Sequence, residues 1–517
     1  MLPAHHIPPV TTPIPVADGH TATPSSAIGR DAEMEFAATI LRFLDYDPNE
    51  EQTDLIAGFA RFCVSCRSNE LLLLNGYAGT GKTSLTGALV KTLTHFGMKS
   101  VLLAPTGRAA KVFSEYAGHP AYTIHRKIYR QHSYSPEDMG GFNIADNKHT
   151  DTTFIIDEAS MIANTVGDGG GAAFGTGRLL DDLIHYVYSG TGCRLIMLGD
   201  SAQLPPVGLD ESPALSESAL AAYGLRVMAF TLRHVARQRQ NSGILENATL
   251  LRHAIEAYSL HETASLQPPV LHTSGYDDIC NVSSEFLIDN LSSSYGRLGV
   301  RGTTLITRSN KRAAGFNLGI RNSIMCYEDE LVSGDLLMVA KNNYLWSENY
   351  QGLDFIANGE MARVVRTRGM EEQMYGLRFM RLELELPDLD VEIEAKAVLD
   401  ALYSDAAALT RQQSEQVYVG VMSQLQGDKR TRYRALKKDP YYNALQVKYG
   451  YAVTCHKAQG GQWEDVYIDM GGIPPEALTD IQFYRWLYTA ITRARTRVFL
   501  INSPLPLRQQ PVFLSLA

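Results

Sequence analysis

The sequence predicts an α/β protein built on buried parallel strands, and three observations predict it. Short apolar runs at Leu71–Leu74, Val101–Ala104, Phe154–Ile156 and Arg194–Leu198 each lead into a polar or glycine-rich loop, the pattern of a parallel sheet whose site lies along its carboxyl edge. The first of these loops, Gly76-Tyr77-Ala78-Gly79-Thr80-Gly81-Lys82-Thr83, matches G-x-x-x-x-G-K-[ST] at every fixed position. The strand-then-polar-loop logic recurs at Thr303–Thr307, Tyr451–Thr454, Val466–Ile468 and Val498–Ile501, so a second α/β domain without a phosphate loop is expected.

Bulk composition sets the limits. The chain has 517 residues, room for about three domains. Hydrophobic residues at 45% and aromatics at 9% describe ordinary globular material for more than one core. A net charge of −9 argues against a uniformly basic nucleic-acid binder, yet leaves room for a basic groove within an acidic protein. No run approaches the ~18 uninterrupted apolar residues of a membrane span. Residues 1–33 open with proline, threonine and serine and lack the basic start and apolar middle of a secretory signal, so a disordered tail is expected. The cysteines are scattered. Cys63-x-x-Cys66 has no second pair to complete a zinc site and reads as small buried residues in a helix. A reducing, cytoplasmic compartment follows.

Along the chain, Asp47-Pro48-Asn49-Glu50 predicts a helix start with a cap, proline at the first position and glutamate at the third. Leu55, Ile56, Phe59, Phe62 and Cys63 then share one face. Gln52 in the first turn reads, by its own chemistry, as an exposed glutamine. In the phosphate loop, glycines let the backbone curl so that N–H groups point inward at phosphate oxygens, and the following helix adds its positive end. Lys82 would reach the β- and γ-phosphates and the Thr83 hydroxyl would sit on Mg2+. Phe154–Ile156 would be a buried strand that delivers Asp157 to the Mg2+ shell and Glu158 to the attacking water as general base. Gly167-Asp168-Gly169-Gly170-Gly171 reads as a surface loop. Arg237 and Arg493, taken singly, read as surface or salt-bridge arginines.

Residues of about 331–441 interrupt the second half. Gly334–Val339 and Asn358–Val365 are β-like, with Asn-Gly as a turn signal. "RLELELPDLDVEIEA" alternates apolar and acidic residues as an exposed sheet would, and the stretch from Lys396 to about Leu436 is expected to be helical and charged. "DKRTRYRALKK" reads as a solvated helix face, with a nucleic-acid or partner contact as the alternative.

Taken in order, GYAGTGKT, LLAPTGRAAK, TIHRKIY, FIIDEASM, MLGDSAQLPPVG, VARQ, YAVTCHKAQG and LYTAITRAR, together with the helix bearing Gln52, resemble the superfamily 1 helicases, in particular the RecD/Dda-like branch, over about residues 45–500. The resemblance implies two RecA-like domains, residues 34–125 with 151–232 and residues 233–330 with 442–517, holding ATP and Mg2+ between them. It implies a hairpin insertion at 126–150, where Phe142 or Tyr134 would either wedge a duplex or simply pack, and an SH3-like insertion with helices at 331–441. Gly76, Ala78, Gly79, Thr80, Gly81, Lys82 and Thr83 would cradle the phosphates and Gln52 would contact adenine. Gln203 would sense the γ-phosphate, and Arg237 and Arg493 would act as arginine fingers beside Lys82, Asp157 and Glu158. A DNA strand would cross Pro105, Thr106, Thr123 and His125 on the first domain and Thr454, His456 and Lys457 on the second, with a structural role for the two histidines as the alternative. Where the family carries a glutamate for the nucleotide ribose this chain has Gln462, which keeps a hydrogen bond and loses the charge.

The activity so implied is ATP-driven 5′→3′ movement on single-stranded DNA and at single/double-strand junctions, by a monomer, with a protein loading partner and no membrane. The alternatives are an RNA helicase, a translocase that displaces proteins, and, in another class, a nucleotide-gated binding module without motor action.

Overall fold

The computed structural model describes residues 26–65, 67, 69–131, 142–165, 175–235, 241–260, 266–350, 353 and 355–505. It opens with two packed helices, α1 (Ser26–Arg42) and α2 (Glu50–Val64). α1 starts inside the stretch expected to be a tail. Phe36 and Ile40, one turn apart, are buried with Leu55 and Phe59 of α2, a pairing that composition does not disclose. The cap of α2 is Asn49, two residues later than expected. Its side chain accepts from Gln52 N at 2.9 Å while the Gln52 side chain accepts from Asn49 N at 3.1 Å, and this reciprocal pair outcompetes Asp47.

The first sheet is wholly parallel. Its chain order is β1 (Glu70–Gly76), α3 (Lys82–His95), β2 (Lys99–Ala104), α4 (Gly107–Ala117), β3 (Ala121–Thr123), the short α5 (Ile124–Ile128), a two-stranded hairpin of β4 (Tyr129–Gln131) and β5 (Phe142–Ile144), β6 (Thr152–Ile156), α6 (Leu179–Ser189), β7 (Arg194–Gly199), α7 (Glu217–Ala221) and β8 (Arg226–Leu232). In space the strands run β3-β2-β6-β7-β1-β8. The four leucines of β1 are explained by burial on both faces: Leu71 and Leu73 enter one core, Leu72 and Leu74 the other. The tip of the hairpin between β4 and β5, with Tyr134, lies outside the described residues, as do the side chain of Phe142, residues Gly167–Gly171, and Cys66; Cys63 is buried as expected.

A second parallel sheet follows. α8 (Gly243–Leu260), β9 (Ile279–Val282), α9 (Leu287–Gly302), β10 (Thr303–Thr307) and α10 (Asn310–Ser323) come first, then a barrel. The barrel strands are β11 (Leu336–Val339), β12 (Met361–Met374), β13 (Leu377–Leu386), β14 (Val391–Val398) and, after helices α11 (Arg411–Gln424) and α12 (Lys429–Lys438), β15 (Leu445–Tyr449). β16 (Ala452–Thr454), α13 (Cys455–Ala458), β17 (Trp463–Asp469), α14 (Ile481–Ile491) and β18 (Ala494–Ile501) complete the sheet in the order β16-β10-β17-β18-β9. The chain is therefore two parallel-sheet α/β domains of RecA-like type, with a small closed β-barrel as the insertion.

The barrel corrects two expectations. "RLELELPDLDVEIEA" is not an exposed sheet: Leu382, Leu384, Leu386, Ile393 and Ala395 point into the barrel, and the glutamates face outward, where Glu383 and Glu385 pair with Arg363, Arg366, Arg368 and Arg301. Closure of the strands on themselves buries one side of the alternation. The helical stretch also begins later, at Arg411. Lys396 belongs to β14, where its ammonium sits 3.9 Å from the Tyr441 ring and donates to Glu372 at 2.7 Å. A buried ion pair ties the barrel to α10: Arg321 donates twice to Asp335, each bond 2.8 Å, and Tyr451 donates to the same carboxylate at 2.9 Å.

Candidate nucleotide site and nucleic-acid interface

The phosphate loop leaves β1 and turns into α3. Gly79 at φ 79° and Gly81 at φ 85° hold the left-handed backbone that a side chain would strain, which is why glycine occupies both. Lys82 lies across the loop and donates to Gly76 O and Gly199 O, both at 3.1 Å. Its ammonium is thus held at the ends of β1 and β7, over the loop's inward-facing surface. Thr83 is exposed in the first turn of α3. Gln52 is 1% exposed, against the reading of it as a surface residue, and its Nε2 donates to Thr80 O at 2.9 Å. α2 therefore grips the loop backbone directly.

β6 delivers the two carboxylates. Asp157 accepts from the Tyr116 hydroxyl at 2.6 Å and, through its other oxygen, from Glu158 N at 2.8 Å. Burial raises the Asp157 carboxyl and the Lys82 charge opposes it. Glu158 adopts φ 53°, an unusual conformation for a non-glycine residue, and its buried Oε2 has no hydrogen-bond partner. Gln203, after β7, is likewise buried with its Oε1 unpartnered. The lysine and the curled loop suit a polyanionic ligand, the Asp157–Glu158 pair suits its cation, and the two unpartnered acceptors leave room for a water.

The second domain closes on this site through α14. Tyr488 donates to Asp200 Oδ2 at 2.7 Å and accepts from Ala78 N at 2.9 Å, joining β7 to the phosphate loop. Burial raises the Asp200 carboxyl, again opposed by Lys82. Thr489 accepts from Leu204 N at 2.8 Å, Arg485 donates to Ser201 O, and Gln459 donates to Leu204 O at 2.7 Å. Arg493, 4% exposed, places a guanidinium nitrogen 3.6 Å from Glu158 Oε1. Arg237 lies outside the described residues. Gln462 is exposed and accepts from Arg495 at 3.0 Å.

The residues expected along a strand lie at or just after the ends of β2, β3 and β16, and Thr106 stands at the seam of the two domains. Pro105 follows β2, Thr106 caps α4 by accepting from Ala109 N at 3.2 Å, and Thr123 caps α5 by accepting from Arg126 N at 3.2 Å. The His125 ring packs with Tyr129 at 5.7 Å and with Phe355 of the insertion at 6.3 Å. Burial pushes its pKa down to about 4, so at neutral pH it offers an N–H and not a positive charge. On the second domain Thr454 pairs in register with Thr307, His456 is exposed, and Lys457 donates to Asn358 of the insertion. The two halves meet: a Cβ placed on Gly460 would lie 3.2 Å from Thr106 Oγ1, and Arg108 stacks 3.9 Å above the Trp463 ring.

Tyr116, Asp200, Arg485, Tyr488 and Thr489 escaped the sequence reading. A sign of the last three was present. Arg485, Tyr488 and Thr489 fall at helical spacing within a largely apolar run, a polar stripe on a buried helix. Tyr116 and Asp200 carry no such sign.

Among known proteins, residues 48–265 match the family model described as an AAA domain, and residues 449–501 that of a UvrD-like helicase C-terminal domain. The chain is 25% identical over 467 residues to the ATP-dependent RecD2 DNA helicase of Deinococcus radiodurans, covering 88% of this chain and 49% of that protein. It is 30% identical over 144 residues to the ATP-dependent DNA helicase dda of Enterobacteria phage T4, covering 27% of this chain and 29% of that one. The chain thus spans about half the length of the first of these curated relatives and less of the second. A solved structure of Pif1 helicase from Bacteroides in complex with ADP-AlF3 and ssDNA is 15% identical, with a TM-score of 0.41 and coverage of 89% of this chain and 93% of that one. Among the described residues no helix is long and apolar enough to cross a membrane.

Proposed function

We propose that this chain, a member of the RecD/Dda-like branch of the superfamily 1 helicases, hydrolyses ATP between its two parallel-sheet domains and uses the cycle to move 5′→3′ along single-stranded DNA and open duplex at junctions. The observation that carries the reading is the approach of Arg493, from the second domain, to Glu158 at the end of β6 in the first. A charge from one domain at the water-activating carboxylate of the other makes turnover depend on closure of the cleft.

In this reading the loop from Gly76 to Gly81 cradles the phosphates and Lys82 neutralises the β- and γ-groups. Thr83 and Asp157 would hold Mg2+, which when bound offsets phosphate charge. Glu158 takes the proton of the attacking water, and Gln203 reports the terminal phosphate to the adjoining seam. Arg493, with Arg237 as its expected companion, supports charge developing on the transferred group. Gln52 holds the loop and faces the adenine position. The residues Pro105, Thr106, Thr123, His125, Thr454, His456 and Lys457 would grip a strand by its phosphates without reading bases. Because ATP joins two domains that each carry part of the strand contacts, the grip on DNA differs between open and closed states, which is the condition for directed movement.

The test is a DNA-stimulated ATPase assay paired with unwinding of duplexes bearing a 5′ or a 3′ tail. Stimulation by DNA together with unwinding of the 5′-tailed duplex alone is expected. Opening of the 3′-tailed substrate alone would refute the polarity, and equal stimulation by RNA would move the substrate class. Lys82→Ala should abolish turnover; retained DNA-stimulated hydrolysis would refute the site.

A further inference from the structure

We propose that Tyr116 is a positioning residue: it orients the Asp157 carboxylate for metal binding and transmits strand occupancy at the start of α4 to that carboxylate. The proposal rests on the reading of Asp157 as a metal-holding residue.

Tyr116 stands near the end of α4 and leans back toward its start, as long helical side chains do. Its hydroxyl donates to Asp157 Oδ2 at 2.6 Å, while Oδ1 is engaged by Glu158 N at 2.8 Å. Both oxygens are thereby fixed, and the plane of the carboxylate is set by the phenol on one side and the backbone on the other. Partners of this kind, which orient a ligating group, are worth about 10–100-fold in metal affinity or activity where they have been removed. The ring stacks on Phe113 at 5.1 Å, so the hydroxyl has little freedom to follow a moving carboxylate.

The other end of the same helix is the seam. Thr106 caps it, Arg108 stacks on Trp463 of β17, and Gly107 is pressed by Glu360 of the barrel, whose Oε2 would lie 2.5 Å from a Cβ at that position. α4 has 11 residues and runs without interruption between these contacts and Tyr116. It also touches the phosphate-loop helix with almost no gap: a Cβ on Gly87 of α3 would sit 3.1 Å from Tyr116 O. A shift of α4 caused by a strand at Thr106 therefore cannot be absorbed against α3. It must change the phenol–carboxylate distance, and a hydrogen bond weakens steeply with distance and angle.

Tyr116→Phe in the full chain keeps the ring, its stack and the packing on α3, and removes only the hydroxyl. The first readout is equilibrium binding of a fluorescent ATP analogue with Mg2+ and with EDTA. The second is the factor by which single-stranded DNA raises kcat. We expect the Mg2+-dependent gain in affinity to fall about 10-fold, the EDTA affinity to stay at the wild-type value, and the DNA stimulation factor to drop. Wild-type Mg2+ gain in the variant would overturn the orienting role. A reduced Mg2+ gain with an unchanged DNA factor would overturn the transmitting role. Asp157→Asn, measured alongside, separates a failure of the underlying reading: if it binds the Mg2+-nucleotide like wild type, Asp157 does not hold the metal.

Discussion

The Arg493 guanidinium lies 3.6 Å from the Glu158 carboxylate, across the boundary between the two sheets. In this arrangement the arginine from the second domain rests on the group that would activate water, beside a carboxylate oxygen with no hydrogen-bond partner of its own. Arginines in this role are worth about 10³–10⁵ in rate. Arg493→Ala should lower kcat by about 10³ or more while nucleotide affinity changes far less. Rapid-quench turnover and equilibrium nucleotide binding check this; an equal loss in both would mean the arginine serves binding alone.

Tyr488 is the hinge pin of the closed cleft, with one hydroxyl serving Asp200 and Ala78 N. Tyr488→Phe leaves the buried Asp200 acceptor and the loop N–H without that partner, a cost of about 1–3 kcal/mol per unsatisfied group. The penalty falls on closure and not on either sheet. Hydrogen exchange should therefore speed up at Tyr77–Thr80 with little change within β1, and uniform protection would count against the bridge.

A strand contact made through Lys457 would have a pH dependence of definite sign. Desolvation lowers its pKa to about 8, so the ammonium is charged below that value and neutral above it. A phosphate contact made by Lys457 should weaken as pH rises through 8. The salt dependence of single-stranded DNA binding should then be steeper at pH 7 than at pH 9.5 by about 0.7 in log–log slope, the share of one phosphate contact. Lys457→Met should remove that difference, and persistence of the difference in the variant would assign it elsewhere.

Glu360 offers a second, opposite case. Burial, then Asp388, push its pKa from 4.5 up to about 8, against the pull of Arg108 and Lys111. A carboxyl whose folded pKa exceeds its unfolded value holds an extra proton in the folded state between the two. Its contribution is complete below the unfolded pKa and is lost as pH climbs through about 8. Glu360→Gln mimics the protonated form. The variant should melt near wild type at pH 5 and above it at pH 8.5; a pH-independent gap would show that Glu360 is ionised in the fold.

The Arg321–Asp335 pair is 3% and 0% exposed and anchors the barrel to α10. Asp335→Asn leaves a buried guanidinium without its counter-charge, which in comparable pairs costs about 3–5 kcal/mol. Urea unfolding should show a loss of that order, while Arg366→Ala on the solvent-facing wall of the barrel should cost far less. Similar losses in the two variants would argue against this account.

Local chemistry was legible in the amino acids alone. The phosphate loop, the Asp157–Glu158 pair and the parallel strands were readable because each depends on a handful of adjacent residues: glycines where the backbone turns back, apolar runs where both faces are buried. The same reasoning misjudged Gln52, the start of α1 and the wall of the barrel, where a residue's environment is set by a segment far along the chain. Which oxygen of Asp157 meets Tyr116, 41 positions away, and which atoms of the phosphate loop meet Tyr488, 410 positions away, only the tertiary structure decided. The reason is physical: periodicity records whether a side chain is buried, while the identity of its partner depends on where closure of long loops brings two surfaces together.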